Sequence, residues 1–273
     1  MAFYVLTAPE NGAIPVLVEV PHAGLAIPDL VRGEICAPPD AILRDADGYV
    51  DKLYADAPGR GATMLVARVS RYVVDLNRAP DDVDVETVPD HPSPRGVQPR
   101  GVVWRMTTDG RSVLTQPLSH DQFRRRIEAF HAPYHDTLRE QLGRLRGVFG
   151  HAVLLAAHSM PSVGRSGHVD PGGRRADVVP GSQGRTTADP RVIELVDAHF
   201  REAGLTVRHD DPYRGGWTTA HYGRPRDGWH AIQVELNRAL YVDEATGEPK
   251  RGDFERLQDL CANLVTRLGA LEL

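Results

Sequence analysis

A chain of 273 residues, of which 41% are hydrophobic and 25% charged, is long enough to fold as one large domain with a full core. Its formal net charge of −5 argues against nucleic acid as a main partner. Cys36 and Cys261 lie far apart and outside any CxxC or Cys/His cluster, which argues against a disulfide framework and a thiolate zinc site. The sequence has no signal-peptide pattern and no apolar run of membrane-spanning length, so we expect a cytoplasmic protein without a membrane partner.

The first strong element is an apolar strand over 16–20, rich in β-branched residues and ended by Pro21. Gly24 then turns the chain, which places His22 just past the carboxyl end of the strand. In open α/β sheets this edge is where ligands bind. His22 is therefore a candidate site residue.

A helix is predicted from about Pro39 to Ala57, because apolar residues recur there at helical spacing. Asp47 and Asp51 would lie one turn apart on another face, where like charges repel each other. A helix dipole, a metal or an arginine would relieve that repulsion. The alternative is an acidic face exposed to solvent.

A further strand is predicted over 63–69, and an apolar segment bracketed by Arg71 and Arg78 follows it. A buried arginine needs a partner, which for this segment is either Asp75 or a carboxylate of the substrate. Residues 80–118 are rich in proline, glycine and aspartate and show little periodicity. A loop of that length is typical of a lid or a binding loop.

The clearest helix is predicted over 119–146, with Ser119 as its N-cap and Pro133 as a kink or the start of a second helix. His131 and His135 lie one turn apart within it. The segment lacks the glutamate of an HExxH motif, and Pro133 disturbs the helix. We therefore interpret this pair as surface or structural histidines.

Two later apolar runs repeat the pattern of the His22 strand. The run after His151 ends at His158, and the run 231–234 ends at Glu235. Each of these residues alone can be read as a polar residue that closes a strand, but three such strand ends favour a metal-hydrolase site. Helices are also predicted over 189–203 and 253–271, with a short strand over 205–208 and a loop over 210–225 between them. Strands alternating with helices predict a single α/β domain, residues 1–273, with a central mixed and mostly parallel sheet flanked by helices.

Catalytic zinc usually takes three protein ligands and keeps one position open for water. His22 and His158 are the best histidine candidates, and Asp47 is preferred to Asp51 as the third ligand because its helix follows the His22 loop. Zn²⁺ or another divalent metal is thus the expected cofactor. Glu235 is then the candidate general base that moves the proton of the attacking water.

The chain also resembles the N-formylglutamate amidohydrolase family over nearly its whole length. The resemblance rests on six motifs taken in order: PHAG at 21–24, RDADGYVDKLY at 44–54, SRYVVDLNR at 70–78, AHSMPS at 157–162, PYRGGWTTAHYG at 212–223 and QVELNRALYVDE at 233–244. It implies a fold like that of the zinc carboxypeptidases, with Glu235 as general base and Arg78, after Asn77, holding a substrate carboxylate. One departure is that the carboxypeptidase HxxE pattern fails here, since Leu25 stands three residues after His22.

The resemblance implies a zinc-dependent hydrolase that cleaves N-formyl-L-glutamate, a small-molecule N-acyl amino acid, to formate and L-glutamate in histidine degradation. Arg71, Arg78 and Arg238 are the candidate clamps for the two glutamate carboxylates. One alternative is a hydrolase of another N-acyl amino acid or small peptide. Another is a binding protein that kept the fold without turnover.

Overall fold

A mixed sheet forms the centre of the computed structural model, which describes residues 2–273. Within these residues six strands follow the order β1-β3-β2-β4-β6-β5. The four inner strands are parallel, and β1 and β5 run antiparallel at the two edges. The strand bounds are β1 (Tyr4–Thr7), β2 (Val16–Val20), β3 (Thr63–Ala67), β4 (Ala152–Met160), β5 (Val178–Gly181) and β6 (Trp229–Asn237). This architecture confirms the predicted mixed, mostly parallel sheet.

Helices cover both faces of the sheet. Their bounds are α1 (Asp29–Arg32), α2 (Pro39–Asp45), α3 (Val50–Leu53), α4 (His120–Arg126), α5 (Ala132–Phe149), α6 (Pro190–Glu202), α7 (Trp217–Tyr222) and α8 (Asp253–Gly269), with a π-helical turn at Ile127–His131 and 3₁₀ turns at Pro225–Asp227 and Arg238–Leu240. Helices α3, α6 and α8 contribute to the core on one face, and α4, α5 and α7 to the core on the other.

Adjacent residues of β2 show how both faces are filled. Side chains alternate along a strand, so Leu17 and Val18 point to opposite sides of the sheet. Leu17 belongs to the same buried cluster as Leu138 of α5, and Val18 belongs to the cluster of Leu264 of α8. Strands buried on both faces are mostly apolar, which is why the sequence showed them as nearly continuous apolar runs; the buried Glu19 is the exception in β2.

The long helical segment after residue 118 begins as predicted and is then interrupted. Ser119 caps α4, and Gln122 completes a capping box. A π-helical turn over 127–131 separates α4 from α5, and Pro133 lies in the first turn of α5. The alternative in which Pro133 starts a second helix is therefore the one that the structure shows.

The prediction of a single helix from Pro39 to Ala57 is wrong. Helix α2 ends at Asp45, and Tyr49 adopts a left-handed conformation with φ 65° before α3 begins. In the gap the backbone N–H of Asp47 donates to the carbonyl oxygen of His22 over 2.9 Å. A long-range contact with the His22 turn has replaced the helical hydrogen bond, and apolar spacing alone could not reveal that exchange.

Two other elements differ from the predictions for the carboxyl-terminal half. The expected strand over 205–208 is reduced to an isolated bridge between Val207 and Val178. The loop-like sequence over 210–225 contains the short helix α7. Both segments pack against larger neighbours, so tertiary contacts and not local pattern determine their conformation.

The segment over 80–118 contains no helix and no strand, only isolated bridges, yet it is packed against the protein. Val83, Val102 and Val113 are fully buried within the core that contains α5. Trp104 is almost fully buried as well. Because these side chains are anchored in the core, the segment holds its polar side chains in fixed positions.

The turn after β2 packs tightly, and this contact generates a prediction. A Cβ on Gly24 would lie 2.4 Å from the backbone carbon of Arg68 and 2.6 Å from its carbonyl oxygen. Gly24→Ala should therefore lower the free energy of unfolding by about 1–3 kcal/mol, the usual cost of overpacking. Urea denaturation measures the change.

Gly33→Ala is the matched control, because a Cβ at Gly33 meets no atom within 4 Å. We expect a change within about 0.5 kcal/mol for that variant. Equal stability of the Gly24 and Gly33 variants would contradict the packing argument.

Candidate active site

The carboxyl ends of β2, β4 and β6 open into a cleft of about 620 Å³. His22 follows β2, while His158 and Glu235 lie in β4 and β6, where their Cα atoms are paired in register. Asp47 reaches the same place from the gap between α2 and α3. His22, Asp47 and His158 each offer a ligand atom, and these atoms lie within 4.8 Å of one another.

Besides Asp47, a second carboxylate, that of Asp75, holds His22 in place. Its Nε2 lies 2.8 Å from Oδ1 of Asp75, and a carboxylate can only accept, so Nε2 carries the proton. In the neutral ring, Nδ1 then presents its lone pair to Asp47 Oδ2, 3.6 Å away. This buried Nδ1 finds no hydrogen-bond partner among residues 2–273. A buried lone pair that faces a carboxylate oxygen calls for a cation between them.

Asp47 is the centre of the cluster. Its Oδ2 lies 3.0 Å from Nδ1 of His158, and its Oδ1 accepts from Nη2 of Arg238 over 3.1 Å. Burial raises the pKa of Asp47, but its interactions with His158 and His22 outweigh burial and hold the pKa well below its usual value. Asp47 is therefore a carboxylate at neutral pH, as a metal ligand must be.

The donor set fits a divalent cation. Two imidazole nitrogens and one carboxylate oxygen are ligands typical of a catalytic zinc site with an open position. The hydrogen bond from His22 to Asp75 is the outer-shell contact that fixes a metal-binding imidazole. The cluster can therefore hold a metal ion, and the unpartnered Nδ1 of His22 is the observation that supports this fit.

Asp51, the alternative third ligand, lies elsewhere. Its side chain is about a third exposed and pairs with Lys52 over 3.4 Å. Because the chain leaves the helix between α2 and α3, Asp47 and Asp51 do not share a helix face as predicted. The same break that ends α2 turns Asp47 alone toward the histidines.

Glu235 lies on the cleft side of β6. Gln233 and Glu235 point to one side, where Gln233 Nε2 donates to Glu235 Oε1 over 3.0 Å, while Val234 is buried in the opposite core. No arginine of the described chain forms a salt bridge with Glu235. Burial raises the pKa of Glu235 to about 7. A carboxyl with that pKa can both accept and donate a proton near neutral pH.

Arg71 is bound to the protein. Its Nε and Nη2 both donate to Oδ2 of Asp75, over 3.2 and 2.8 Å, and its guanidinium lies 4.4 Å from the ring centroid of Trp104. Asp75 thereby links Arg71 to His22. Of the two partners considered for Arg71, the structure shows Asp75.

Arg238 is similarly occupied. It donates to Asp47 Oδ1, to Ser159 Oγ over 3.0 Å and to the carbonyl oxygen of Arg44 over 2.8 Å. Arg78 differs from both Arg71 and Arg238, because its only side-chain partner in residues 2–273 is Asp82 at 3.5 Å. Among the three predicted clamps, Arg78 has the most hydrogen-bonding capacity left for a ligand.

Asn77 and Gln233 support the site, and no sequence pattern indicated either role. Asn77 Nδ2 donates to Gln233 Oε1 over 3.0 Å and lies 3.3 Å from His158 Nε2. Its Oδ1 accepts from the backbone and the hydroxyl of Thr218. These bonds tie the Asn77 segment to β4, β6 and α7.

His131 and His135 have a structural role, as interpreted from the sequence, but they are buried. His131 Nε2 lies 2.9 Å from the carbonyl oxygen of Arg78, and His135 Nε2 lies 3.0 Å from that of Leu76. Burial lowers the pKa of both rings, so each donates as a neutral imidazole. The pair fixes the backbone on both sides of Asn77.

A Ser–His–Asp chain outside the cleft resembles a hydrolytic triad. Ser182 Oγ lies 2.7 Å from His209 Nε2, and His209 Nδ1 lies 2.9 Å from Asp197 Oδ1. Ser182 is 0% exposed, so no substrate can reach its hydroxyl. These hydrogen bonds instead tie α6 and the segment after it to the end of β5.

The fold and the His/Asp/His cluster define an α/β protein with a candidate metal site at the carboxyl edge of its sheet. The model of the N-formylglutamate amidohydrolase family matches residues 14–242. N-formylglutamate deformylases of Pseudomonas putida and Pseudomonas aeruginosa are 34% and 32% identical, each over 90% of this chain and 88% of their own length. The chain therefore belongs to the N-formylglutamate amidohydrolase family.

Solved structures agree with this family assignment. The N-formylglutamate amidohydrolase of Ralstonia eutropha JMP134 superposes with a TM-score of 0.87 at 32% identity, over 98% of this chain and 97% of its own. The product of gene Atu2144 of Agrobacterium tumefaciens superposes with a TM-score of 0.70 at 20% identity, over 97% and 94% of the two chains. The second similarity concerns the fold alone.

The geometry predicts one divalent cation per chain. His22→Ala, His158→Ala and Asp47→Asn should each lose it, because each removes or neutralises a ligand of a three-ligand site. Metal content of the purified variants, measured by inductively coupled plasma mass spectrometry, checks the assignment.

Asp51→Asn is the matched control, since it removes the same charge from a nearby aspartate that lies outside the cluster and pairs with Lys52. That variant should keep its metal. If Asp51→Asn loses the metal and Asp47→Asn retains it, the assignment of the third ligand is reversed.

Proposed function

We propose that this protein hydrolyses N-formyl-L-glutamate to formate and L-glutamate, with Zn²⁺ held by His22, Asp47 and His158. One observation carries the proposal: the buried His/Asp/His cluster lies beside Glu235 in a cleft that also presents Arg78. Family membership and relatives named N-formylglutamate deformylase support the substrate. Hydrolysis of this substrate would end a route of histidine degradation.

A divalent cation bound by the three ligands would polarise the formyl carbonyl and lower the pKa of a water molecule. Around it, the protein's own contacts keep the ligands in place. Asp75 fixes the ring of His22, and Arg238 holds Asp47 by its second oxygen. We assign Arg238 and Arg71 to this support, because their guanidiniums are already bound to Asp47 and Asp75.

Glu235 is proposed as the general base and then the general acid. Its carboxylate takes the proton of the water that attacks the formyl carbon, and then delivers a proton to the leaving amide nitrogen. A pKa raised to about 7 by burial suits both transfers near neutral pH. A nearby cation would favour the carboxylate form, which is the form that the first step needs.

Arg78 is proposed to bind a substrate carboxylate. N-formyl-L-glutamate carries two carboxylates, and a planar guanidinium can bind one of them through two parallel hydrogen bonds. His131 and His135 fix the backbone on both sides of Arg78's neighbour Asn77, so the backbone that carries the guanidinium is ordered.

Among residues 2–273 we find no helical stretch with the length and hydropathy of a membrane span.

The deciding experiment measures release of formate and L-glutamate from N-formyl-L-glutamate by the zinc-loaded protein. N-acetyl-L-glutamate and an L-alanyl-L-glutamate dipeptide serve as competing substrates. Faster turnover of either competitor would favour the second reading, a hydrolase of another N-acyl amino acid or peptide. Binding of N-formyl-L-glutamate without release of formate would indicate a binding protein.

We expect Glu235→Gln to lower kcat by about 10²–10⁴-fold, the usual contribution of general acid–base catalysis. The amide keeps the shape of the side chain but cannot accept the proton. Metal content should stay at the wild-type value, because Glu235 is not a proposed ligand. Steady-state kinetics and metal analysis on one preparation check both expectations.

Glu140→Gln is the control for this variant, since Glu140 is exposed on α5, outside the cleft. It should leave kcat unchanged. A Glu235→Gln enzyme with near-wild-type turnover and bound metal would remove Glu235 from the mechanism.

For Arg78→Lys we expect KM to rise roughly tenfold, the size of one lost charge-assisted hydrogen bond, while kcat falls less. Lysine keeps the positive charge but loses the planar fork. Arg139→Lys, on the exposed face of α5, is the control. A lower melting temperature with unchanged KM would instead show that Arg78 has a structural role.

A further inference from the structure

Seven arginines line the cleft, and the protein's own carboxylates bind most of them. The occupied pairs are Arg71 with Asp75, Arg238 with Asp47, Arg165 with Asp45 at 3.1 Å and Arg95 with Asp81 at 3.1 Å. Within residues 2–273, Arg78 has only the long contact with Asp82. Arg100 and Arg214 line the same cleft and form no salt bridge with any carboxylate of residues 2–273.

Arg100 is the more enclosed of these two. It is half-buried, whereas Arg214 is exposed. Burial lowers the pKa of Arg100, and the positive charges of Arg78 and Arg71 lower it further, although Asp45 acts against them. A half-buried guanidinium next to two others is stabilised when an anion binds between them. A dianionic substrate would supply such an anion.

Arg100 is also held in position before any ligand binds. Its Nη2 donates to the carbonyl oxygen of Gly167, and Gly167 N–H donates to the carbonyl oxygen of Thr108 over 3.1 Å. A Cβ on Gly167 would lie 2.7 Å from that oxygen and 3.1 Å from Arg100 Nη1, so this approach requires glycine. The guanidinium is therefore fixed between two loops. An anion that binds to it causes little further loss of conformational freedom.

We propose that Arg100 binds the side-chain carboxylate of the substrate and makes the enzyme selective for N-formyl amino acids with an acidic side chain. This assignment rests on the proposed function, in which Arg78 binds the other carboxylate. The substrate would thus be clamped by two arginines of the same cleft wall, which residues 2–273 leave largely unpaired. Arg100 lies in the loop over 80–118, so this loop would determine specificity.

The test compares N-formyl-L-glutamate with N-formyl-L-glutamine, which differs only in the side-chain charge and its hydrogen bonding. In Arg100→Gln, kcat/KM for the glutamate substrate should fall about 100-fold, the usual loss when one partner of an enclosed charge pair is removed. The value for the glutamine substrate should change by less than about threefold, because no charge pair is lost. The ratio of the two values is independent of the folded fraction of the preparation.

Arg95→Gln is the matched control, because Arg95 belongs to the same loop but already pairs with Asp81. It should leave the ratio unchanged. Arg214→Gln tests the competing arginine, and Arg100→Lys should give an intermediate ratio because it keeps the charge without the fork.

Two results would overturn the assignment: an unchanged ratio in Arg100→Gln, including one that comes from an equal loss for both substrates, or a ratio that collapses in Arg214→Gln instead. Each of these leaves the proposed function standing if the wild-type enzyme still releases formate from N-formyl-L-glutamate. A wild-type enzyme that hydrolyses neither compound would overturn the proposed function and the role of Arg100 together.

Discussion

The carboxylate of Asp47 is the group on which the rest of the site depends. It is buried, it contacts both histidines of the cluster, and its second oxygen is held by Arg238. Its backbone N–H also bonds to the carbonyl oxygen of His22. Asp47 makes these contacts from the interruption between α2 and α3, so the break in the helix is part of how the site is built.

A second buried carboxylate, Asp75, connects the cluster to the cleft wall. It accepts hydrogen bonds from His22, from Arg71 and from the indole nitrogen of Trp104 at 3.0 Å. Burial raises the pKa of Asp75, but Arg71 and His22 outweigh burial and keep it well below its usual value. A charge buried so deeply is tolerated only because each oxygen is fully bonded, and that network also orients the first proposed ligand.

The positions of His158 and Glu235 follow from the pairing of strands in the sheet. Parallel pairing of β4 and β6 sets His158 directly beside Glu235, so a proposed metal ligand and the proposed base share one register. A slip of one residue would send either side chain into a core. The loops above this edge supply the arginines, and the protein's own carboxylates decide which of those arginines remain open to a substrate.

Local sequence signals were sufficient for the elements with the most regular patterns. Apolar runs located the central strands β2, β4 and β6, Ser119 and Pro133 marked the two starts in the α4–α5 segment, and polar residues at strand ends indicated His22 and His158. The sequence favoured Asp47 over Asp51 without showing which of them lies beside the histidines, and it grouped Arg71 and Arg238 with Arg78. Those distinctions depend on contacts between residues far apart in the chain, such as Arg238 with Asp47. They become visible in the folded chain alone, because a local pattern shows which face of an element is apolar but not which distant charge that element will contact.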